Sequence, residues 1–138
     1  MRKDRGSTRA AGKTGEDIAS CFLKAQGYEI IERNYYAGHC ELDIVAQEKD
    51  GAVVFVEVKM RTNLSSSSRY GRPAAAVGRE KQRHLIAAAE QYIRTHPDIC
   101  DGKPVRIDVI EVYAPDDSAT PDITHLRNAV IVKPGYNK

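Results

Sequence analysis

The sequence has few cysteines and no long apolar run. No stretch approaches the ~20 consecutive apolar residues that cross a bilayer, and the basic N-terminal segment lacks the apolar core of a signal peptide. These absences argue against a membrane protein and against a secreted one. The three cysteines are widely spaced and contain no CxxC pair, which disfavours a disulfide framework and a cysteine-rich zinc site. We therefore expect a reduced, cytoplasmic protein that does not interact with membranes.

The charge is segregated along the chain although the net charge is only +2. Residues 14–58 carry three basic and nine acidic side chains, a net charge of −6, whereas residues 59–94 carry eight basic and two acidic ones, a net charge of +6. An acidic block followed by a basic block fits a cation site beside an anion-binding surface, and two solvated faces would give the same pattern.

The 138 residues are enough for one domain and contain no internal repeat. We expect a flexible basic arm over residues 1–13, the domain over 14–133 and a tail over 134–138. A first helix begins at the N-cap Thr14 and ends at Gly27. Its predicted apolar stripe consists of Ile18, Cys21, Phe22 and Ala25. The other predicted elements are strands 28–36, 39–47 and 52–61, a helix within 74–95, strands 105–113 and 129–132, and loops 62–73 and 114–121.

Charged side chains of the second and third strands are predicted to meet on one face of a hairpin. The segment 49–51, Lys-Asp-Gly, fits a three-residue turn ending in a glycine with positive φ. Counting back from that turn sets Asp43 opposite Glu57 and Glu41 opposite Lys59, because side chains alternate along a strand. The hairpin therefore presents three carboxylates and one ammonium together.

Two opposed carboxylates repel each other, so one must take up a proton or a cation must lie between them. A hard divalent ion such as Mg²⁺ resolves the repulsion; a solvent-facing hairpin with paired surface charges is the alternative. Phe55 shares the charged face, which indicates that this face is partly covered and that its carboxylates need partners. Glu41 is either a third ligand or the ion-pair partner of Lys59, and the ion pair is favoured. For His39, an exposed surface residue is favoured over metal ligation or base catalysis.

A group of basic side chains follows the third strand into the next helix. A helix N-terminus itself favours anions, so the group suits phosphate binding, although a solubilising surface would look the same. No base-reading element is evident, which predicts recognition of shape or backbone. For Tyr35 and Tyr36, packing is favoured over stacking on bases. The predicted nucleic-acid-binding residues are Arg61, Arg69, Arg72, Arg79, Lys81 and Arg83.

The segments 41–45 (ELDIV) and 53–59 (VVFVEVK) resemble the PD-(D/E)xK signature of the restriction-endonuclease-like superfamily. Together with segment 15–19 (GEDIA), they are similar to the YraN family, bacterial proteins that resemble archaeal Holliday-junction resolvases. The resemblance spans roughly residues 13–133 and departs from the motif at Leu42, where proline is usual. It implies an α/β fold with a restriction-endonuclease-like core, a mixed central sheet of about five strands flanked by helices in the order α-β-β-β-α-β-β.

The resemblance also implies roles for individual residues. Asp43 and Glu57 match the metal-ligating acids, with the backbone carbonyl of Val58 completing the protein ligands. Lys59 matches the lysine that positions the attacking water or stabilises charge on the phosphate, and Glu16 matches a helix acid that supports the site or a second metal. The implied cofactor is Mg²⁺, with Mn²⁺ as a substitute.

Two hypotheses follow. The first is a Mg²⁺-dependent endonuclease that hydrolyses phosphodiester bonds in structured or branched DNA during repair or recombination. The second is a catalytically weak nucleic-acid-binding module, or an assembly partner, that keeps the nuclease fold. The intact set of Asp43, Glu57 and Lys59 favours the first, because a binding module has no need for a repulsive pair of acids. Resolvase relatives act as dimers, which implies a homodimer by analogy.

Overall fold

A single five-stranded sheet organises the protein, whose computed structural model describes residues 15–62, 77–114 and 121–131. The elements in chain order are α1 (15–25), β1 (Glu29–Ala37), β2 (Cys40–Gln47), β3 (Val53–Thr62), α2 (Arg79–Thr95), α3 (Pro97–Cys100), β4 (Val105–Ala114) and β5 (Asp122–Val130). The predicted order is confirmed, and the structure adds the single turn α3. The predicted arm, the Thr14 cap, the tail and most of both long loops lie outside the described residues.

The sheet is mixed, as predicted, with the strands in the order β1-β2-β3-β4-β5. The first three strands run antiparallel, β3 and β4 run parallel, and β5 returns antiparallel to β4. Parallel neighbours need a long crossover, which here includes α2. Among the strands, only the prediction for β5 was clearly wrong. The strand begins at Asp122, whereas the sequence predicted a start at residue 129. Polar residues and a register shift opposite Ile107 and Val109 interrupt the alternation of apolar and polar side chains in β5. The sequence of its first half therefore does not predict a strand.

The turn between β2 and β3 has the predicted form. Gly51 has a φ of 103°, and its N–H donates to the Glu48 carbonyl at 2.8 Å. The resulting backbone pairs run from Gln47↔Val53 to Ile44↔Val56, which is the predicted register. Ile44↔Val56 is the last such pair between these described strands; beyond it, β2 remains paired with β1 and β3 with β4. The sheet therefore opens between β2 and β3 at Asp43.

Each face of the sheet carries a helix and its own apolar cluster. On the α1 face, Ala19 and Leu23 are fully buried against Ile44, Val54, Val56 and Ile110. On the α2 face, the buried helix residues are Leu85, Ala88, Ala89 and Tyr92, which pack around Phe55 and Val109. None of the described helices is long and apolar enough to cross a membrane.

The stripe predicted for α1 was partly wrong. Ile18 and Phe22 are half-buried, but Cys21 and Ala25 are exposed. The buried stripe lies one position farther along the helix because Leu23, the largest fully buried side chain of α1, points into the sheet. The end of α1 agrees with the prediction: Gly27 has a φ of 99°, and the N–H of Tyr28 donates to the Leu23 carbonyl at 3.0 Å.

Candidate active site

Asp43 lies where β2 and β3 separate, and its side chain bridges the gap. The backbone N–H of Val58 donates to Oδ2 of Asp43 at 2.8 Å, so the carboxylate replaces a strand-to-strand backbone bond. This contact orients Asp43 toward β3 and keeps it half-buried. It uses the N–H of Val58, whereas the predicted metal ligand is the carbonyl of that residue, and the carbonyl's role stays a prediction.

The pKa of Asp43 is raised from 3.8 to about 7. Burial is the largest cause, and the negative charge of Glu57 is the second. The N–H of Val58 opposes the shift, while the charges of Glu16 and Glu41 add to it. The predicted repulsion between the acids of β2 and β3 is therefore present, and near neutral pH it leaves Asp43 to be neutralised by a proton or a cation.

Three carboxylates converge at the opening of the sheet. One oxygen each from Glu16, Glu41 and Asp43 lies within 4.8 Å of the other two. Such a set of oxygen donors suits a hard cation such as Mg²⁺ or Mn²⁺. The ion pair predicted between Glu41 and Lys59 was wrong: among the described residues Lys59 pairs with Glu57 instead, with Nζ 3.6 Å from Oε2. The strands part beyond Ile44, so Glu41 joins the acids near α1.

Glu16 is held by two neighbouring side chains of β1, at a point where the backbone of the strand is irregular. These two residues were not assigned to the site from the sequence. Arg33 Nη2 and Asn34 Nδ2 both donate to Oε1 of Glu16 at 3.4 Å, and Arg33 also pairs with Asp17 at 2.9 Å. Asn34 adopts a φ of 56°, which lets consecutive side chains approach the same helix. The interruption of the strand pattern at residues 32–34 was the available signal.

The start of α1 is fixed against β3 by a close approach. A Cβ added to Gly15 would stand 3.0 Å from the sulfur of Met60. The helix therefore contacts β3 at its first residue, and the next residue, Glu16, is carried over the opening of the sheet. A larger residue at position 15 would require the Met60 side chain to move.

Glu57 lies on the α2 face between two ammonium groups. Its side chain is buried, and Oε2 is 3.6 Å from Nζ of Lys59 and 3.6 Å from Nζ of Lys81. Lys81 precedes the buried Leu85 by four residues, so it lies on the inward stripe of α2. It was predicted to bind phosphate on the outer surface, whereas the structure turns it toward Glu57.

The predicted basic surface is only partly assembled in the described residues. Arg79 and Arg83 are exposed on the first turns of α2. Arg61 is 3.3 Å from the fully buried Glu111, whose other oxygen accepts a hydrogen bond from the Tyr113 hydroxyl at 2.9 Å. Arg61 therefore neutralises a buried acid, and a phosphate contact from it stays a prediction. The remaining predicted contacts, Arg69 and Arg72, lie outside the described residues.

The two neighbouring tyrosines of β1 differ in their surroundings. Tyr35 packs edge-on against Tyr92, with ring centroids 5.0 Å apart, as favoured from the sequence. Tyr36 is 64% exposed, and the nearby negative charge of Glu41 raises the pKa of its hydroxyl. Tyr36 is thus an exposed aromatic ring beside the acidic group, whereas the sequence favoured a packing role for it.

A second group of charges is centred on the fully buried Asp108, which lies opposite Val56 in the sheet. Asp108 accepts hydrogen bonds from Arg106 Nε at 3.0 Å and from the backbone N–H of Asn128 at 2.8 Å, and it contacts His125 Nε2 at 2.7 Å. Burial alone would raise the pKa of Asp108, but the bonds to His125 and Arg106 hold it below its usual range. Arg106 also donates to Glu48 at 2.7 Å. This network joins β4 and β5 to the β2–β3 turn and explains Asp108 as a structural residue.

The described residues of the candidate site all lie in the part of the chain that matches a known protein family. A model described as Uncharacterised protein family UPF0102 matches residues 15–112. A UPF0102 protein from Chloroherpeton thalassium is 48% identical over 103 residues, which cover 75% of this chain and 74% of that protein.

Similarity to solved structures is weaker. A repair endonuclease from Pyrococcus abyssi aligns at 16% identity and a TM-score of 0.32, over 65% of this chain and 34% of the other. A complex of EndoMS with dsDNA aligns at 13% identity and a TM-score of 0.33, over 65% of this chain and 32% of the other. These overlaps span about a third of each neighbour. The family match, in contrast, covers most of this chain, which belongs to the UPF0102, or YraN, family.

Proposed function

We propose that this protein is a metal-dependent nuclease that hydrolyses phosphodiester bonds in structured or branched DNA. The observation that carries the proposal is Asp43, a half-buried acid with a pKa near 7 surrounded by three further carboxylates. Such a group is costly unless a cation neutralises it, and perturbed carboxylates cluster at functional sites. Two lysines held beside Glu57 supply the positive charge that a phosphate substrate requires.

The residues that would hold a divalent ion are acids with Asp43 at their centre. Asp43 and Glu57, with the Val58 carbonyl, would form one ligand set, and Glu16 and Glu41 would extend it on the α1 side. Mg²⁺ characteristically combines one or two carboxylates with water and phosphate oxygens, which fits this number of donors. When bound, such an ion activates water and neutralises charge on the phosphate.

The two lysines beside Glu57 would act on the phosphate itself. Lys59 and Lys81 each lie 3.6 Å from Glu57 Oε2, so the protein holds both ammonium groups at the site before a substrate arrives. Positive groups fixed where negative charge develops lower the barrier without needing to reorganise. We therefore add Lys81 to the predicted catalytic residues Glu16, Asp43, Glu57 and Lys59.

The substrate would be bound mainly through its backbone. Arg79 and Arg83 are exposed on the same first turns of α2 that carry Lys81, and a helix N-terminus adds favourable partial charge for anions. Tyr36 offers an exposed ring on which a base in a single-stranded or branched segment could stack. These contacts carry no base-specific pattern, which favours recognition of DNA shape. A cytoplasmic homodimer remains our expectation for the acting form.

One observation favours a non-catalytic binding module instead. Glu57 already has two ammonium neighbours in this structure, so its charge is neutralised without a metal ion. In such a module Lys59 would serve stability, and Asp43 would take up a proton near neutral pH.

The two functions are separated by replacing lysines. Lys59→Met and Lys81→Met should abolish or strongly slow cleavage of flapped or four-way DNA in Mg²⁺ or Mn²⁺, while binding measured without metal changes little. Interactions made in the transition state govern rate rather than affinity. Lys24→Met, which removes an exposed ammonium from α1, is the matched control and should cleave normally. If the lysine variants lose stability but cleave at the normal rate, or if the normal protein binds every substrate and cleaves none, the binding module is the better account.

A further inference from the structure

Two histidines and a cysteine meet at the tip of the β1–β2 hairpin. One ring nitrogen each from His39 and His84 and the sulfur of Cys40 all lie within 4.8 Å of one another. His39 was predicted to be a surface residue, and it is exposed, but its ring also meets His84 edge-on with the centroids 5.9 Å apart. The acidic site described above uses none of these three residues.

The fold brings the three side chains together from two elements. Gly38, with a φ of 66°, and His39 form the two-residue connection between β1 and β2, which closes with the pair Ala37↔Cys40. Helix α2 packs against β2 and places His84 beside this turn. The cluster is therefore fixed by backbone pairing on one side and by helix packing on the other.

We propose that His39, Cys40 and His84 bind a thiophilic transition-metal ion, for which Zn²⁺ is the natural probe. Two imidazoles and a thiolate are the donors that zinc prefers, whereas the carboxylates around Asp43 suit Mg²⁺ or Mn²⁺. Tetrahedral zinc with bonds of about 2.0–2.3 Å holds its donor atoms about 3.3–3.6 Å apart. The donor atoms would have to move closer by rotation of the exposed His39 and the partly exposed His84.

The surroundings of His84 support metal binding at this position. Glu80, one helical turn earlier, has a carboxylate oxygen 4.0 Å from Nε2 of His84. If the Glu80 side chain closes to hydrogen-bond distance, it would orient the imidazole and leave Nδ1 for the ion, as carboxylates do for metal-ligating histidines. Three protein ligands leave the fourth position of a tetrahedral ion to water or to another ligand.

An ion in this position would join the hairpin tip to helix α2. Cys40 is followed directly by Glu41 of the acidic group, and Lys81 precedes His84 by three residues on α2. Binding would fix the distance between the strand that carries the acids and the helix that carries a lysine of the candidate active site. Zinc binding itself does not depend on the proposed nuclease function.

The test is titration of the reduced, metal-free full chain with Zn²⁺ by calorimetry, and with Co²⁺ by absorption. We expect one equivalent of Zn²⁺ to bind and the Co²⁺ complex to show a thiolate-to-metal charge-transfer band. Cys40→Ser should remove the band and weaken Zn²⁺ binding by more than about tenfold, since loss of even a supporting partner costs about 10–100-fold. Cys21→Ser, at an exposed cysteine of α1, is the matched control and should behave normally.

Two further variants keep the result decisive. His84→Gln changes a partly exposed side chain and should weaken Zn²⁺ binding even if Cys40→Ser folds poorly. Asp43→Asn alters the acidic site and should leave Zn²⁺ affinity unchanged. Affinity of His84→Gln within threefold of the normal protein, a Co²⁺ complex without a thiolate band, or loss of Zn²⁺ binding in Asp43→Asn would each overturn the proposal.

Discussion

Replacing Asp43 with asparagine should make the metal-free protein more stable at neutral pH. The folded state holds the pKa of this carboxyl at about 7, whereas an unperturbed aspartate ionises near 3.8. Between those values the folded protein keeps a proton that the unfolded chain releases, so the unfolding free energy of the normal protein falls as the pH rises. Each unit of pKa shift corresponds to 1.36 kcal/mol, which sets the full loss at about 4 kcal/mol at most. Asparagine does not ionise, and its amide oxygen can still accept the N–H of Val58.

Urea unfolding from pH 4 to pH 8 in EDTA measures this effect. The stability of Asp43→Asn relative to the normal protein should rise between pH 4 and pH 7 and then level off. Excess Mg²⁺ should remove much of the difference, because a ligand that binds only the folded state stabilises it. Parallel stability curves for the two proteins in EDTA would refute the reasoning.

Asp108→Asn is the control of opposite sign. Asp108 has a lowered pKa and stabilises the folded protein above the pKa of the unfolded chain, so that contribution is lost as the pH falls through the folded-state pKa. Its replacement should destabilise the protein at neutral pH by about 3–5 kcal/mol, because Arg106 loses a buried partner. The difference from the normal protein should shrink in acid.

Three further changes test other parts of the site. Arg33→Gln should release Glu16 and weaken Mn²⁺ binding, measured by calorimetry, with little loss of stability; unchanged affinity would remove Arg33 from the site. Replacing both Arg79 and Arg83 with glutamine should remove about two phosphate contacts from the DNA complex. The slope of log binding constant against log salt concentration should then change by about 1.8. An unaltered slope would mean that both side chains belong to a solvated surface. Tyr92→Phe removes a buried hydroxyl with no hydrogen-bond partner among the described residues, so thermal melts should show equal or higher stability; a loss above 1 kcal/mol would mean that the hydroxyl is satisfied.

The parts of the site that follow from local rules were predictable. The turn at residues 49–51 has few possible forms, so it correctly predicted the register of β2 and β3 from Gln47↔Val53 to Ile44↔Val56. Leu85 and Tyr92 recur at helical spacing, and both are buried in the structure. The parallel pairing of β3 with β4 agrees with the expected mixed sheet, although that expectation came from the family resemblance rather than from periodicity.

The remainder depends on where elements separate or approach in three dimensions. The register alone would keep Glu41 opposite Lys59, but β2 and β3 part beyond Ile44, and Glu41 joins Glu16 instead. Lys81 looked like part of a basic surface because its neighbours are basic, yet its position four residues before Leu85 turns it inward. The contact between His39 and His84 joins residues 45 positions apart, and no local pattern indicates it.

The central claim is tested most directly by the single-turnover cleavage rate of a labelled four-way DNA junction in Mn²⁺ or Mg²⁺. The normal protein should cleave the junction only when the divalent ion is present. Asp43→Asn should bind the same junction at least as tightly, since a charge that repels phosphate is gone, and should not cleave it. Cleavage by Asp43→Asn at the normal rate, or a normal protein that binds the junction and leaves it intact with either ion, would contradict the account.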